Sequence, residues 1–221
     1  SGTRFFEFMQ AMLVPTFIAA GCLLLFTLLA FRPRPIVLQP VGGSIQVRWR
    51  LFALSACLFI PFIVAADLRH AGWALLAVAL LYVAFYRPVL RRLDWPLLLV
   101  FLLMFVDLRL VAGLPAVAGW LVHLDLARAG NLYLAGAGLS QFISNVPTTI
   151  LLYGYSPDWR ALAWGVDMGG FGLVVGSLAN LIALRLAGSR GSFLTFHAWA
   201  APFLLLAGGL GYAWLVIHGG G

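Results

Sequence analysis

The chain has no lysine, two cysteines and few charges, and each shortage excludes a class of protein. Charged residues make up 10% of its 221 residues, whereas 63% are hydrophobic. A soluble domain of this size could not bury so much apolar surface, so the composition excludes a soluble globular fold. Cys22 and Cys57 both lie in apolar runs, which argues against a disulfide framework. No CxxC pair or histidine-rich cluster indicates a metal site.

All the basic side chains are arginines, which give a formal net charge of +7. They lie between apolar segments and not in one stripe, so they indicate membrane topology and not nucleic-acid binding. The chain begins Ser-Gly-Thr-Arg, without an initiator methionine or a signal peptide, and we expect it to be a fragment of a longer protein. We predict an integral protein of the bacterial inner (plasma) membrane, with lipid as a partner and no nucleic acid.

Apolar runs divide the chain into spans and linkers. We predict an all-α polytopic membrane protein with six transmembrane helices, plus a re-entrant helical hairpin at about 131–155. One of the six spans is a broken helix at about 160–185. The other predicted spans are about 8–31, 51–67, 71–86, 96–113 and 195–218.

Arginine placement tests whether the segment at 131–155 crosses the membrane. If it enters and leaves on one side, nine of the arginines share one face and five share the other. If it crosses, the split is eight to six. The positive-inside rule favours the hairpin, with both chain ends outside and the hairpin opening toward the exterior.

Two spans of opposite predicted direction begin with a similar pattern, in which two phenylalanines three residues apart precede a proline. Such a pair is what an inverted repeat produces, although chance produces short patterns of this kind as well. The two sets are Phe5, Phe8 and Pro15, and Phe193, Phe196 and Pro202. We predict that residues 1–31 are the last helix of a first repeat, 32–50 a cytoplasmic linker and 51–221 a second transporter repeat.

A polar run interrupts the hairpin segment at residues 140–149, Ser-Gln-Phe-Ile-Ser-Asn-Val-Pro-Thr-Thr. In lipid every backbone polar group needs an internal partner, and Pro147 removes a donor and disfavours helical geometry at Val146. Such a break survives at membrane depth only if it is buried in protein or lines a wet cavity. We therefore predict a substrate or ion site here. The alternative is a kinked helix whose hydroxyl groups bond back to its own carbonyls.

A second interruption follows at residues 169–180, where four glycines precede Ser177 and Asn180. Unwound carbonyls can coordinate Na⁺, and half-helix N-termini favour anions, so we predict that this break completes the site. The alternative is close helix packing through Gly172-Leu-Val-Val-Gly176, which matches the GxxxG pattern.

Acidic residues inside predicted spans are functional candidates, because a charge at the bilayer centre costs about 3 kcal/mol on insertion scales. Asp167 lies just before the first glycines. It could bind a cation, carry a proton, or pair with a basic group or a backbone amide. Asp107 and Arg109 lie two residues apart on one helix and so face about 200° from each other. We expect each to contact another helix or to reach the membrane surface.

Three stretches within about 93–185 resemble the ion-transporter superfamily, which includes citrate-type and dicarboxylate–sodium symporters, arsenite permeases and one type of Na⁺/H⁺ antiporter. "LDWPLLLVFLLMFVDLRL" resembles the helix before the hairpin, and "SQFISNVPTTILL" resembles the hairpin with its Ser-Asn-(Thr/Val)-Pro tip. "GVDMGGFGLVVGSLANLIAL" resembles the broken helix that follows. The resemblance implies one half of an inverted-repeat transporter.

The resemblance implies that Ser144 and Asn145 touch substrate and a cation, and that Ser140 helps to coordinate a second sodium. It also implies that carbonyls of Gly169, Gly170 and Gly176 complete the cation site. Together with the two polar breaks, these matches give the predicted site. The substrate-binding residues would be Ser144, Asn145, Val146, Pro147, Thr148, Gly176, Ser177 and Asn180. The cation-binding residues would be Ser140, Asn145, Asp167, Gly169, Gly170 and Gly172. The chain departs from the family pattern at three positions. Asp167 and Phe171 replace frequent asparagines, and the acid at 167 raises proton coupling as an option. Val146 replaces threonine, which favours the arsenite-permease or antiporter branches of the superfamily.

These observations predict secondary active transport of a small inorganic or carboxylate anion, coupled to Na⁺ or H⁺. We predict no enzymatic activity, no catalytic residue, no cofactor and no metal other than Na⁺. The expected partners are the anion, a first repeat of the same protein and a second copy in a homodimer. One alternative is a Na⁺/H⁺-type cation antiporter. A second is an intramembrane hydrolase using Asp107 and Asp167, although neither has the Gly-x-Gly-Asp context of such proteases. A third is a non-transporting assembly subunit.

Overall fold

The computed structural model describes residues 5–31, 48–188 and 191–218, and helices form all the regular secondary structure in these ranges. The all-α prediction is confirmed. Most of the predicted linker at 32–50 lies outside the described residues. The helices are α1 Phe5–Ala30, α2 Trp49–Asp67, α3 Ala71–Phe85, α4 Arg87–Arg91, α5 Trp95–Ala112, α6 Pro115–Val122, α7 Ala129–Ile143, α8 Asn145–Leu152, α9 Trp159–Gly169, α10 Leu178–Ala187 and α11 Ser192–His218, with a 3₁₀ turn at Val174–Gly176.

Among the described residues, four helices are long and apolar enough to cross a membrane: α1, α2, α5 and α11. The predicted total of six spans also counted α3 and the broken helix. At 15 residues, α3 is shorter than the roughly 20 residues that a span needs, and α9 and α10 are shorter still. The chain is a polytopic membrane protein.

One compact unit comprises Ser1–Phe8 and Pro33–Leu97. Within it α2 and α3 pack against each other across a short turn in which Arg69 has a φ of 63°. The hydroxyl groups of Ser55 and Tyr82 lie 2.7 Å apart and join the two helices. Neither helix has a buried residue, so their apolar side chains face outward, as they do where lipid is the solvent.

The second unit comprises Met9–Arg32 and Leu98–Gly221, and α7 lies at its centre. This helix packs against α8, α9 and α11. Leu132 and Tyr133 of α7 are fully buried together with Leu152 and Met168. The Tyr133 hydroxyl donates a 2.7 Å hydrogen bond to the carbonyl of Gly208, which fixes α7 to α11.

A proline in the first helix explains how α1 docks on α9. Pro15 has no N–H, so the carbonyl four residues earlier, that of Ala11, loses its usual helical donor. The indole N–H of Trp164 takes that place with a 3.0 Å hydrogen bond to the Ala11 carbonyl. A helix defect in α1 thereby becomes a contact with α9.

The hairpin segment is two helices that meet at Ser144. This residue has φ 72° and ψ 158°, whereas α7 ends at Ile143 and α8 begins at Asn145. The prediction that Pro147 disrupts helical geometry at Val146 was wrong, because both residues lie in the first turn of α8. A proline there costs no helical hydrogen bond, since first-turn N–H groups have no intrahelical acceptor.

The broken helix is also confirmed as a break in helical structure, because α9 ends at Gly169 and α10 begins at Leu178. The GxxxG alternative was wrong, because Gly172 and Gly176 do not lie on one α-helix. Close packing through small residues occurs instead between α7 and α9. A β-carbon on Gly165 would overlap the Tyr133 carbonyl, and one on Gly169 would come within 2.8 Å of the Ala137 carbonyl.

This close approach makes α9 sensitive to a single methyl group. We expect Gly165→Ala to lower the free energy of unfolding by about 1–3 kcal/mol, because the backbones must separate to admit the methyl group. Gly138→Ala is the matched control, since nothing lies within 4 Å of its β-carbon position. In a helix this control should be neutral or stabilising. Thermal melting in detergent measures both, and equal melting temperatures for the two variants would contradict the packing described here.

Candidate functional site

The hairpin tip and the helix break border one cavity of about 970 Å³ in the second unit. Asn145 enters it from the tip of the hairpin, and Asp167 enters it from the last turn of α9. Gly170, Ser177 and Asn180 border it from the break and from α10. The rest of its wall consists mainly of apolar side chains from α1, α10 and α11, among them Phe26, Trp199 and Phe203. The carboxyl and amide side chains of the lining therefore lie where the two broken helices meet, whereas hydroxyl residues also occur on α1 and α11, at Thr16, Thr27, Ser192 and Thr195.

Three of the hydroxyl groups in the hairpin bond back to their own helices. The hydroxyl of Ser140 donates to the Gly136 carbonyl at 2.7 Å. Those of Thr148 and Thr149 donate to the carbonyls of Ser144 and Asn145 at 2.8 and 2.9 Å. Ser140 and Thr148 are fully buried. For these three side chains, the kinked-helix alternative correctly predicted hydrogen bonds from hydroxyl groups to carbonyls of the same segment.

Asn145 behaves differently from these hydroxyl residues. Its side-chain carbonyl accepts the N–H of Val146 at 2.9 Å, which satisfies one N–H in the first turn of α8. Its amide nitrogen has no acceptor among the described residues and lies 3.3 Å from the position that a β-carbon on Gly170 would take. The tip thus presents a free donor to the break and to the cavity.

Side chains from three helices satisfy the backbone groups of the break. Gln141 of α7 donates to the Gly169 carbonyl at 2.7 Å and accepts the Leu173 N–H at 2.8 Å. Asn180 of α10 donates to the carbonyls of Gly170 and Leu173 at 2.8 and 3.1 Å. These amide groups replace the helical partners that the unwound backbone has lost.

His197 of α11 completes this set. Its Nε2 accepts the Val174 N–H at 3.2 Å, and its Nδ1 lies 2.7 Å from the Phe193 carbonyl. A ring nitrogen facing a carbonyl must donate and one facing an N–H must accept, so the contacts assign the tautomer protonated at Nδ1. The break is therefore attached to α7, α10 and α11 by one side chain each.

Asp167 is the acidic side chain of the cavity. Its carboxylate has no hydrogen-bond or ion-pair partner within the described ranges, and it is exposed to the cavity. It lies in the last turn of α9, where the helix dipole disfavours negative charge. The pairing with a basic group or a backbone amide that the sequence left open is not observed among the described residues.

The structure brings together only part of the predicted site. Asn145, Asp167, Gly170, Ser177 and Asn180 border the cavity. The other predicted residues are not among those that line it, and of these Ser140, Pro147, Thr148, Gly169, Gly172 and Gly176 are buried. Asp107, which the hydrolase alternative pairs with Asp167, is likewise not among the lining residues.

Gln141 and His197 were not among the predicted site residues. Gln141 follows Ser140 directly in the polar run, and an amide that both donates and accepts is the side chain that an interrupted backbone can use. That signal was present in the sequence. His197 could not be found in this way, because its partner lies 23 residues away in another element.

Two relatives with curated names share sequence with the chain. It is 44% identical over 171 residues to "Inner membrane protein YbiR" of Escherichia coli, covering 76% of this chain and 46% of that protein. It is 37% identical over 110 residues to "Uncharacterized transporter MJ0456" of Methanocaldococcus jannaschii, covering 49% of this chain and 29% of that protein. The chain thus spans less than half the length of either relative.

No protein-family model matches the chain, and no solved structure matches it. The Escherichia coli relative and the apolar helices confirm the predicted location in the inner membrane. The names of the two relatives describe an inner membrane protein and an uncharacterized transporter. They name no substrate and no coupling ion.

Ser144 holds a backbone conformation that glycine adopts far more readily, at a cost of about 1–3 kcal/mol. We expect Ser144→Gly to raise the free energy of unfolding by about 1 kcal/mol, because it releases this strain. Ser144→Ala is the control, since it removes the hydroxyl group and keeps the β-carbon. Thermal melting of both variants in detergent tests whether the backbone at Ser144 is strained. A Gly variant no more stable than the Ala variant would contradict this strain.

Proposed function

We propose that the chain forms a substrate-carrying half of a secondary active transporter. It moves a small inorganic or carboxylate anion across the inner membrane, coupled to Na⁺ or H⁺. The observation that carries this proposal is the meeting of two interrupted helices, at Asn145 and Ser177, at one cavity. Irregular backbone inside a membrane protein is expected where it lines a cavity, and discontinuous helices form the binding sites of many transporters.

Charge supports an anionic substrate. Asn145 begins α8, and Ser177 is the N-cap of α10, so two helix N-termini border the cavity. Helix N-termini carry partial positive charge and unbonded N–H groups, both of which favour an anion. The free amide donor of Asn145 adds a third group suited to a negatively charged oxygen.

For the coupling ion, the contacts favour a proton on Asp167. The Gly169 and Gly170 carbonyls, predicted to coordinate Na⁺, already accept hydrogen bonds from Gln141 and Asn180. Asp167 has no such partner in the described part of the chain and faces the cavity. A proton on its carboxyl group would also remove repulsion between this acid and an incoming anion.

A Na⁺/H⁺-type antiporter is the second candidate, and the free carboxylate of Asp167 is the observation that favours it. An acid in a cavity can exchange a proton for Na⁺ with no organic substrate. A hydrolase remains the least supported alternative. In every case we expect lipid, another repeat of the same protein and a second copy of the chain as partners, and no nucleic acid.

Uptake into proteoliposomes tests the proposal. The protein is reconstituted, and accumulation of radiolabelled succinate, citrate or arsenite is measured under an imposed Na⁺ or proton gradient. We expect gradient-driven accumulation of one probe and a loss of about tenfold or more in Asn145→Ala, because a donor to a charged group is removed. Asn131→Ala is the control, since that side chain bonds to the Asp125 carbonyl outside the cavity. Equal flux in both variants would contradict a substrate contact at Asn145, and equal flux with no accumulation in the wild type would favour the assembly-subunit alternative.

Asp167→Asn distinguishes anion transport from cation antiport. If Asp167 carries the coupling proton, we expect this variant to lose acceleration of anion uptake by a proton gradient, since an amide cannot be protonated in this pH range. Asp107→Asn is the matched control, and its anion uptake should still be accelerated by a proton gradient. Anion uptake that stays proton-driven in Asp167→Asn would contradict coupling through this acid. Sodium-driven proton release without anion uptake in the wild type would favour the antiporter.

A further inference from the structure

We propose that Gln141 is the positioning residue that ties the hairpin to the helix break, so that tip and break move as one body. The inference rests on the proposed transport function where flux is concerned. Its structural part does not depend on that function.

A single side chain makes the connection. The Gln141 amide nitrogen donates to the Ala137 carbonyl at 2.8 Å and to the Gly169 carbonyl at 2.7 Å. Its side-chain oxygen accepts the Leu173 N–H at 2.8 Å. One amide thus holds its own helix, the end of α9 and the break. Among the described residues, no other hairpin side chain forms a hydrogen bond to the break.

The surrounding backbone is shaped for this amide. A β-carbon on Gly172 would overlap the Gln141 side-chain oxygen, so glycine at this position leaves the room that the amide occupies. The β-carbon position of Gly176 lies 3.4 Å from the same oxygen. Two of the four glycines of the break therefore face Gln141.

Gln141 lies close enough to the hairpin tip for its hydrogen bonds to set the position of the tip relative to the break. It lies in the last turn of α7, four residues before Asn145, whose amide nitrogen faces Gly170. Holding Gly169 and Leu173 from this turn fixes the distance between the tip and the first half of the break. Asn180 and His197 hold the break to α10 and α11, and neither reaches the hairpin. Without Gln141 the tip could shift relative to Gly170.

Amide hydrogen exchange tests the connection without any substrate. In Gln141→Met the Leu173 N–H loses its acceptor, and we expect its exchange to accelerate about tenfold or more. The Val174 N–H, bonded to His197, is the internal reference and should change much less. Gln10→Met, at an exposed position of α1, is the matched control. Unchanged exchange at Leu173 in Gln141→Met would overturn the proposal.

Gln141→Glu separates the donor from the acceptor and serves as a second variant if the Met variant does not fold. An ionised Glu keeps an oxygen for the Leu173 N–H but cannot donate to the Gly169 carbonyl. A protonated Glu can do both. We therefore expect Leu173 to stay protected in this variant, and its transport relative to wild type to rise about fivefold or more as the pH falls from about 8 to about 5.

Transport by these variants is measured as counterflow of succinate, citrate or arsenite at equal pH on both sides of the proteoliposome. A Glu variant as active as wild type at every pH would overturn the positioning role. So would a Gln141→Met variant that keeps full flux. If the wild type moves none of the three probes, the proposed function fails, and the exchange at Leu173 alone decides whether Gln141 ties hairpin and break.

Discussion

A backbone polar group in apolar surroundings must have a hydrogen-bond partner, and the second unit of this protein is built around that requirement. Between Gly169 and Leu178 the chain leaves the α-helix, and the carbonyls and N–H groups there lose their helical partners. Side chains of Gln141, Asn180 and His197 replace those partners. We expected an ion to fill these places. The structure shows that amide and imidazole groups fill several of them.

The same requirement accounts for contacts elsewhere in the unit. Pro15 deprives the Ala11 carbonyl of its donor, and Trp164 supplies one from α9. The hydroxyl of Tyr133 adds a donor to the Gly208 carbonyl of α11. In lipid, helices gain little from the hydrophobic effect by packing together, so contacts of this kind and close approach at small residues hold them. Gly165, which lies directly against the backbone of Tyr133, is the clearest example of close approach.

The cavity follows from where these helices stop. α7 and α9 bring their carbonyl ends to the region, and α8 and α10 bring their N–H ends. The first pair favours positive charge and the second favours negative charge, which suits a site that handles an anion together with a cation or a proton. Within the described part of the chain, the Asp167 carboxylate and the Asn145 amide nitrogen have no hydrogen-bond partner there, and most of the remaining wall is apolar. The proposed transport function rests on the meeting of these interrupted helices at one cavity, and the two free polar groups add to it.

Composition and local pattern were enough to predict much of this fold. The long apolar runs predicted α1, α2, α5 and α11 to within a few residues, because length and hydrophobicity along the chain decide whether a helix can span lipid. The two interruptions were also predicted, since proline, glycine and clustered polar residues disfavour a continuous membrane helix locally. Pattern did not identify which residue breaks the hairpin. Proline is tolerated in a first turn, and Ser144 takes the unusual backbone conformation instead.

The sequence by itself determined that the chain is helical, that it lies in a membrane and where its helices fail. Only the tertiary structure decided which side chains compensate for those failures. Val174 and His197 lie 23 residues apart, and Gln141 and Gly169 lie 28 apart, so no local pattern links them. The tertiary structure also decided that Ser140 and Thr148 bond within their own helices while Asn145 and Asp167 face the cavity. A helix break depends on nearby residues alone, whereas its repair depends on whichever side chains packing brings within hydrogen-bond distance.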